Sequence, residues 1–111
     1  MLLSDIIKRV ELINKRNGSD IKISFVKNIK EGIENIIKYI TEKINSVSEI
    51  DEFDYKQNQG NFFIYLKNKD VSYMINLKEE KDSYICNINI TSKNKKDYTL
   101  NFINSLFINQ Y

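Results

Sequence analysis

The chain has 111 residues and a formal net charge of +2, with 41% hydrophobic and 29% charged residues. This balance is typical of one globular domain over residues 1–111, and it excludes a disordered, collagenous or strongly basic nucleic-acid-binding chain. With no His and a single Cys, the sequence also excludes Ser-His-Asp and Cys-His nucleophilic pairs, a thiolate zinc site and an internal disulfide.

Residue usage and the first segment of the chain bear on where the protein acts. Ile, Lys and Asn are heavily used while Ala, Pro and Trp are absent, a bias typical of low-GC genomes such as those of some bacteria, their viruses and mobile elements. The first twenty residues alternate charged and apolar residues, unlike a signal peptide, and no segment approaches the roughly 18 consecutive apolar residues of a membrane span. We expect a cytoplasmic protein, in its own cell or an infected host, without a membrane partner.

The N-terminal part is predicted to be a helical hairpin. Residues 2–16 carry apolar residues at spacings of three and four, which is typical of an amphipathic helix, and Asn17-Gly18 suits its C-cap. The apolar residues are Leu3, Ile6, Ile7, Val10 and Ile13.

The second arm of the hairpin is predicted to end at about Ser46. Asn28 and Glu31 have the spacing of a helix start, and Gly32 would weaken the arm by about 1 kcal/mol relative to Ala. Residues 20–26 also alternate as in a strand, so a helix-strand-helix arrangement is the alternative. The apolar face of the arm comprises Ile29, Ile33, Ile36, Ile40, Ile44 and Val47.

Beyond the hairpin, residues 48–60 lose periodicity and concentrate acidic side chains, which predicts a connecting loop. Three runs then alternate apolar and polar residues with short polar breaks between them, which predicts a three-stranded antiparallel meander with one buried face. Cys86 falls on that face, where a thiol behaves as a small hydrophobe. The alternating residues are Phe62, Ile64 and Leu66, then Val71, Tyr73, Ile75 and Leu77, then Tyr84, Cys86, Ile88 and Ile90.

A C-terminal amphipathic helix completes the predicted α+β fold and packs on the sheet. Its apolar residues are Tyr98, Phe102, Ile103, Leu106 and Phe107. The whole prediction is an N-terminal helical hairpin or helix-strand-helix, a three-stranded antiparallel meander and a C-terminal helix.

Two predicted surfaces have the chemistry of protein recognition. One is the second face of the meander, where Phe63, Tyr65 and Met74 stand among Asn and Ser, unless the helices cover it. The other is the acidic loop, which would meet a basic groove or mimic phosphate charge. Its carboxylates belong to Glu49, Asp51, Glu52 and Asp54.

A third candidate is a lysine cluster, Lys93, Lys95 and Lys96, at the entry to the last helix, where ammonium groups suit phosphate binding. The order helix, three antiparallel strands, helix over residues 29–108 resembles the double-stranded RNA-binding domain, whose paired lysines open its last helix at the position of Lys95 and Lys96. The resemblance implies RNA binding through these lysines. The sequence departs from the family in two ways. It has neither the Pro nor the His of the family's Gly-Pro-x-His loop, and bulky Phe and Leu replace the small alanine-rich residues of the family's last helix.

The missing catalytic residue types favour a binding protein over an enzyme, with no cofactor or metal. The leading hypothesis is a small inhibitor that acts by protein-protein interaction, of the immunity-protein or anti-defence (anti-CRISPR) type, and blocks the active site or nucleic-acid channel of a nuclease or toxin. The alternative is a nucleic-acid-binding module of α-β-β-β-α topology. An uncovered sheet face or edge strand would also allow two copies to form a homodimer.

Overall fold

The computed structural model describes residues 8–15, 18–26 and 32–106 of the chain. The elements of this part are β1 (Lys8–Lys15), β2 (Gly18–Val26), α1 (Ile33–Val47), β3 (Glu52–Asn58), β4 (Asn61–Lys67), β5 (Val71–Glu79), β6 (Ser83–Ser92) and α2 (Lys95–Ser105). The strands form one six-stranded sheet in the order β1-β2-β6-β5-β4-β3, and each neighbouring pair is antiparallel. The α+β class is therefore confirmed.

One face of the sheet is built by the apolar residues that alternate along its strands. Ile75 on β5 lies opposite Ile64 on β4 and Ile88 on β6, and Ile88 lies opposite Ile21 on β2. The apolar sets of these four strands therefore share one side, where they are buried. The helices add their apolar faces to this core through Ile36, Tyr39, Ile40, Ile44, Phe102 and Leu106.

Two buried tyrosines connect the helices with the sheet. Tyr73 in β5 shares a 2.6 Å hydrogen bond between its hydroxyl and that of Ser48, which follows α1. The Tyr39 hydroxyl of α1 donates to the carbonyl oxygen of Leu106 at 3.5 Å, and the Tyr39 ring meets Phe25 of β2 edge-on, 6.1 Å between centroids. Both phenols thus satisfy their polar end while the ring fills the core.

The predicted N-terminal helix over residues 2–16 is wrong, because its described part is strand β1, paired with β2. The register places Val10 opposite Ile23 and Leu12 opposite Ile21, and these two β2 residues are fully buried. Partners across the strands therefore override the helical spacing, which is a weak local preference. The segment before β1 lies outside the described residues.

The predicted helical hairpin is in fact a β-hairpin followed by one helix. Of the predicted cap Asn17-Gly18, the glycine begins β2 and the asparagine lies outside the described residues. The strand alternative for residues 20–26 is correct. The second arm is α1, whose N-cap is Gly32, so this glycine does not weaken a helix interior. The predicted start at Asn28 and Glu31 lies outside the described residues.

The predicted three-stranded meander is also wrong, because the sheet has strands on both sides of it. The three alternating runs are β4, β5 and β6, but β2 pairs with β6, and β3 pairs with β4. β3 occupies residues that were predicted as part of the loop 48–60. Every residue of β3 is exposed, and its apolar alternation is limited to Phe53 and Tyr55. Four strands therefore separate α1 from α2, which rules out the helix-three strands-helix order of the double-stranded RNA-binding domain.

The C-terminal helix is present as α2, which contacts β6 and α1. Phe102 is fully buried, and Leu106 is the C-cap residue, 2% exposed. Phe107 lies outside the described residues. Neither helix of the described chain has the length and apolar composition that crossing a membrane requires.

The turn between β3 and β4 depends on two residues with left-handed backbone. Asn58 pairs with Asn61, and the residues between them, Gln59 and Gly60, have φ of 48° and 81°. Positive φ at both central positions is the signature of a type I′ hairpin turn.

Replacing Gly60 with Ala should lower the free energy of unfolding by about 1 kcal/mol, because a Cβ disfavours the left-handed region. Apart from Gly60 itself and its two chain neighbours, no residue has a heavy atom within 4 Å of the position that this Cβ would take, so the effect would be backbone strain alone. The matched control is Gly60→Asn, since Asn adopts the left-handed conformation more readily and should lose less stability than Ala. Urea unfolding followed by circular dichroism measures both variants. An Ala variant as stable as the wild type would contradict the turn assignment.

Candidate functional site

The face of the sheet opposite the helices carries a mixed aromatic and amide surface. Alternation leaves Phe63 and Tyr65 of β4 on this side, and the register continues them in two rows across the sheet. The first row is Phe63, Asn76 and Asn87, and the second is Tyr65, Met74 and Asn89. We call these six residues the open-face patch, since no described element covers them.

The open-face patch is concave. A depression of about 270 Å³ is lined by all six residues together with Ile75 and Ile88. Phe63 and Tyr65 also line a neighbouring depression of about 590 Å³ that reaches the edge strand β3. The two aromatic residues therefore lie between the centre of the sheet and its β3 edge.

The side chains of this patch are suited to binding rather than to proton transfer. Asn side-chain amides both donate and accept hydrogen bonds, and the side-chain oxygen Oδ1 of Asn89 already accepts one from the Thr91 hydroxyl at 3.4 Å. Met74 is 47% exposed, and a thioether adapts its shape to an apolar partner. Aromatic and Met anchors among adaptable polar groups are typical of protein interfaces.

Charges of both signs surround the patch. Register places Lys56 beside Phe63 and Lys22 beside Asn87. Lys67 forms a 3.1 Å ion pair with Glu52, and both side chains are more than half exposed. Mixed and partly paired charges suit a protein partner better than a phosphate backbone, which favours cations of one sign.

The acidic residues predicted to form one loop are divided between two places. Glu52 and Asp54 lie in β3 on the same side as the patch, and Asp54 is directly opposite Tyr65. Glu49 and Asp51 instead line a separate depression with Tyr98 of α2. The structure thus brings only two of the four carboxylates to the predicted aromatic surface, because Glu49 and Asp51 precede β3, in the connection from α1.

The predicted lysine cluster lies away from the open-face patch. Lys93 and Lys96 are exposed and Lys95 is half-buried, at the turn that leads from β6 into the helix layer. The N-cap is Asn94, without a side-chain capping hydrogen bond, and Asp97 places a negative charge in the first turn of α2. An anion at this helix end would therefore meet a carboxylate beside the lysines.

Cys86 is a structural residue, as its alternation predicted. Its side chain is fully buried in the core, opposite Ile23 on one side and Leu77 on the other. Burial raises the pKa of the Cys86 thiol from its usual 9.0 to about 12, so the nucleophilic thiolate is suppressed at neutral pH.

The contribution of β3 to the surface was missed by the sequence prediction. The signal that could have revealed this strand is Asn58-Gln59-Gly60-Asn61, a turn sequence that precedes the alternating run of β4. Among the described residues, no group of three or more His, Cys, Asp or Glu side chains could hold a metal ion. The chain matches no protein-family model and no curated protein.

Proposed function

We propose that this protein is a non-enzymatic binding module that inhibits another protein by covering a functional surface of it with the open-face patch. The observation that carries the proposal is the set of partly exposed Phe63, Tyr65 and Met74 on the side of the sheet away from the helices. The hydration of such exposed apolar side chains is unfavourable. Burying them against a partner would remove that unfavourable free energy.

Among the mixed charges beside the patch, two carboxylates would favour a partner with a basic surface. Glu52 and Asp54 form an acidic margin at the β3 edge, next to Tyr65. A nuclease channel or a toxin active site that binds phosphate carries the complementary charge. The inhibitor would then act sterically, with the aromatic anchors fixing its position and the carboxylates speeding association.

Replacing Met74 or Tyr65 with Ala should weaken partner binding about 30-fold or more, because truncating an interface anchor removes about 2 kcal/mol. Leu100→Ala is the matched control, since Leu100 on α2 has the same 47% exposure as Met74 but lies in the helix layer. Tagged wild-type protein and the three variants are used to capture partners from lysate of the cell in which the protein acts, with and without nuclease treatment. The captured partner's activity is then assayed with and without the protein.

The proposal is supported if a protein partner is still captured after nuclease treatment and its activity is inhibited. That partner should bind Leu100→Ala like the wild type and bind Tyr65→Ala more weakly. Recovery of nucleic acid alone would contradict a protein partner. Equal binding of all four proteins would contradict the assignment of the surface.

A further inference from the structure

We propose that a second copy of this chain pairs with β3, edge to edge and antiparallel, so that two sheets join into one across a two-fold axis. β3 is the last strand of the sheet, and its seven residues pair with β4 without interruption. It contains no Pro or Gly, and all seven residues are exposed. No described strand other than β4 pairs with β3, and an edge of this length exposes a row of backbone donors and acceptors that another strand can pair with.

The outward-facing backbone groups of β3 belong to Phe53, Tyr55 and Gln57. The Asn58–Asn61 pair closes a two-residue hairpin, so the backbone groups of Asn58 hydrogen-bond to β4. Hydrogen-bonded residues alternate along an antiparallel strand, so the backbone groups of the three odd-numbered residues point away from β4. In agreement, the Tyr55 N–H donates a 2.9 Å hydrogen bond to Oδ1 of Asp54 and not to β4. A partner strand would take over this N–H and release the carboxylate.

Charge complementarity selects the register. When Tyr55 lies opposite Tyr55 of the second copy, Asp54 of each chain lies opposite Lys56 of the other, which gives two opposite-charge pairs. The same register places Phe53 opposite Gln57, and all three outward-facing residues become hydrogen-bonded pairs. A two-fold interface needs such a self-complementary patch.

The apolar side chains of β3 give a reason for the pairing. Phe53 and Tyr55 lie on the helix-covered side of the sheet, opposite the buried Leu66 and Ile64, yet they are 59% and 40% exposed because the helices do not reach this edge. The Tyr55 ring contacts the Phe62 ring, with 6.0 Å between centroids. In the dimer, Phe53 and Tyr55 of both copies would form one diagonal aromatic cluster that continues the core.

Sedimentation velocity over a range of concentrations tests this pairing. The apparent mass should rise with concentration from 13.2 kDa towards twice that value, because a single-strand interface is small and dissociates on dilution. Gln57→Pro should remain monomeric, since it removes an outward N–H and leaves the β3–β4 hydrogen bonds intact. Gln57→Ala retains the N–H and should dimerise like the wild type.

The charge pairs provide a second test that does not depend on proline. Asp54→Lys and Lys56→Asp should each be monomeric, because each variant places like charges opposite each other in the two-fold pair. An equimolar mixture of the two should dimerise again, since both pairs between positions 54 and 56 then join opposite charges. A wild-type protein that stays monomeric at all concentrations, a Gln57→Pro variant that dimerises normally, or a mixture that stays monomeric would overturn the proposal. Circular dichroism confirms that each variant is folded.

Discussion

Replacing Phe102 with Ala should lower the free energy of unfolding by about 3–5 kcal/mol, the usual loss when a buried aromatic side chain is truncated. Phe102 is fully buried, and its ring lies 6.5 Å from the ring of Tyr73, centroid to centroid. It is the main anchor of α2, an 11-residue helix that is too short to be stable without tertiary packing. Such a loss is a large fraction of the roughly 5–15 kcal/mol that stabilises a typical domain.

The comparison variant for this prediction is Leu100→Ala on the same helix. Leu100 is 47% exposed, so its truncation should change the free energy of unfolding by no more than about 0.5 kcal/mol. Both variants are measured by urea unfolding with far-ultraviolet circular dichroism, since the chain has no Trp for fluorescence. A loss of less than about 1 kcal/mol for Phe102→Ala would mean that α2 does not pack on the sheet as described.

The helices and the central strands were accessible to sequence prediction because burial imposes a period on them. Alternation located β4, β5 and β6, and the spacing of Ile36, Ile40 and Ile44 located α1. The edge strand β3 lacked such a constraint. β3 is exposed along its whole length, and with only Phe53 and Tyr55 alternating among polar residues it resembled a loop.

The error at β1 has a different cause, since its apolar residues fit two periods at once. Val10 and Ile13 belong to the helical spacing, whereas Val10 and Leu12 alternate as in a strand. Only the pairing of β1 with β2 decides between them, and the apolar spacing within β1 alone contains no information on that pairing.

The candidate surface was partly predictable for a related reason. Alternation alone assigned Phe63, Tyr65 and Met74 to one side of the sheet, but not which side the helices would cover. In the structure the helices cover the side with the continuous apolar set, and Asn76, Asn87 and Asn89 remain on the other, where their amides can meet water. The acidic margin could not be predicted, because it depends on β3 being a strand.

Alkaline pH should destabilise the protein, and Cys86 should account for much of the effect. In the folded protein the Cys86 thiol keeps its proton up to about pH 12, whereas in the unfolded chain the thiol is deprotonated above its usual pKa of 9.0. Between these values the unfolded state binds fewer protons, so the free energy of unfolding falls as pH rises, by up to about 1.4 kcal/mol per pH unit. Burial also raises the pKa of Tyr39 and Tyr73, which adds to the fall above pH 10.

The Cys86→Ala variant separates the thiol from the tyrosines. At pH 8 it should be less stable than the wild type by about 1–2 kcal/mol, because it leaves a small cavity in the core. Between about pH 9 and 11 its stability should fall less steeply, since only the phenols then ionise on unfolding, and the wild type should lose about 2 kcal/mol more than the variant does. Urea unfolding at several pH values across this range gives both curves. Parallel curves would contradict the raised pKa, because a thiol that ionises equally in both states makes no contribution to the slope.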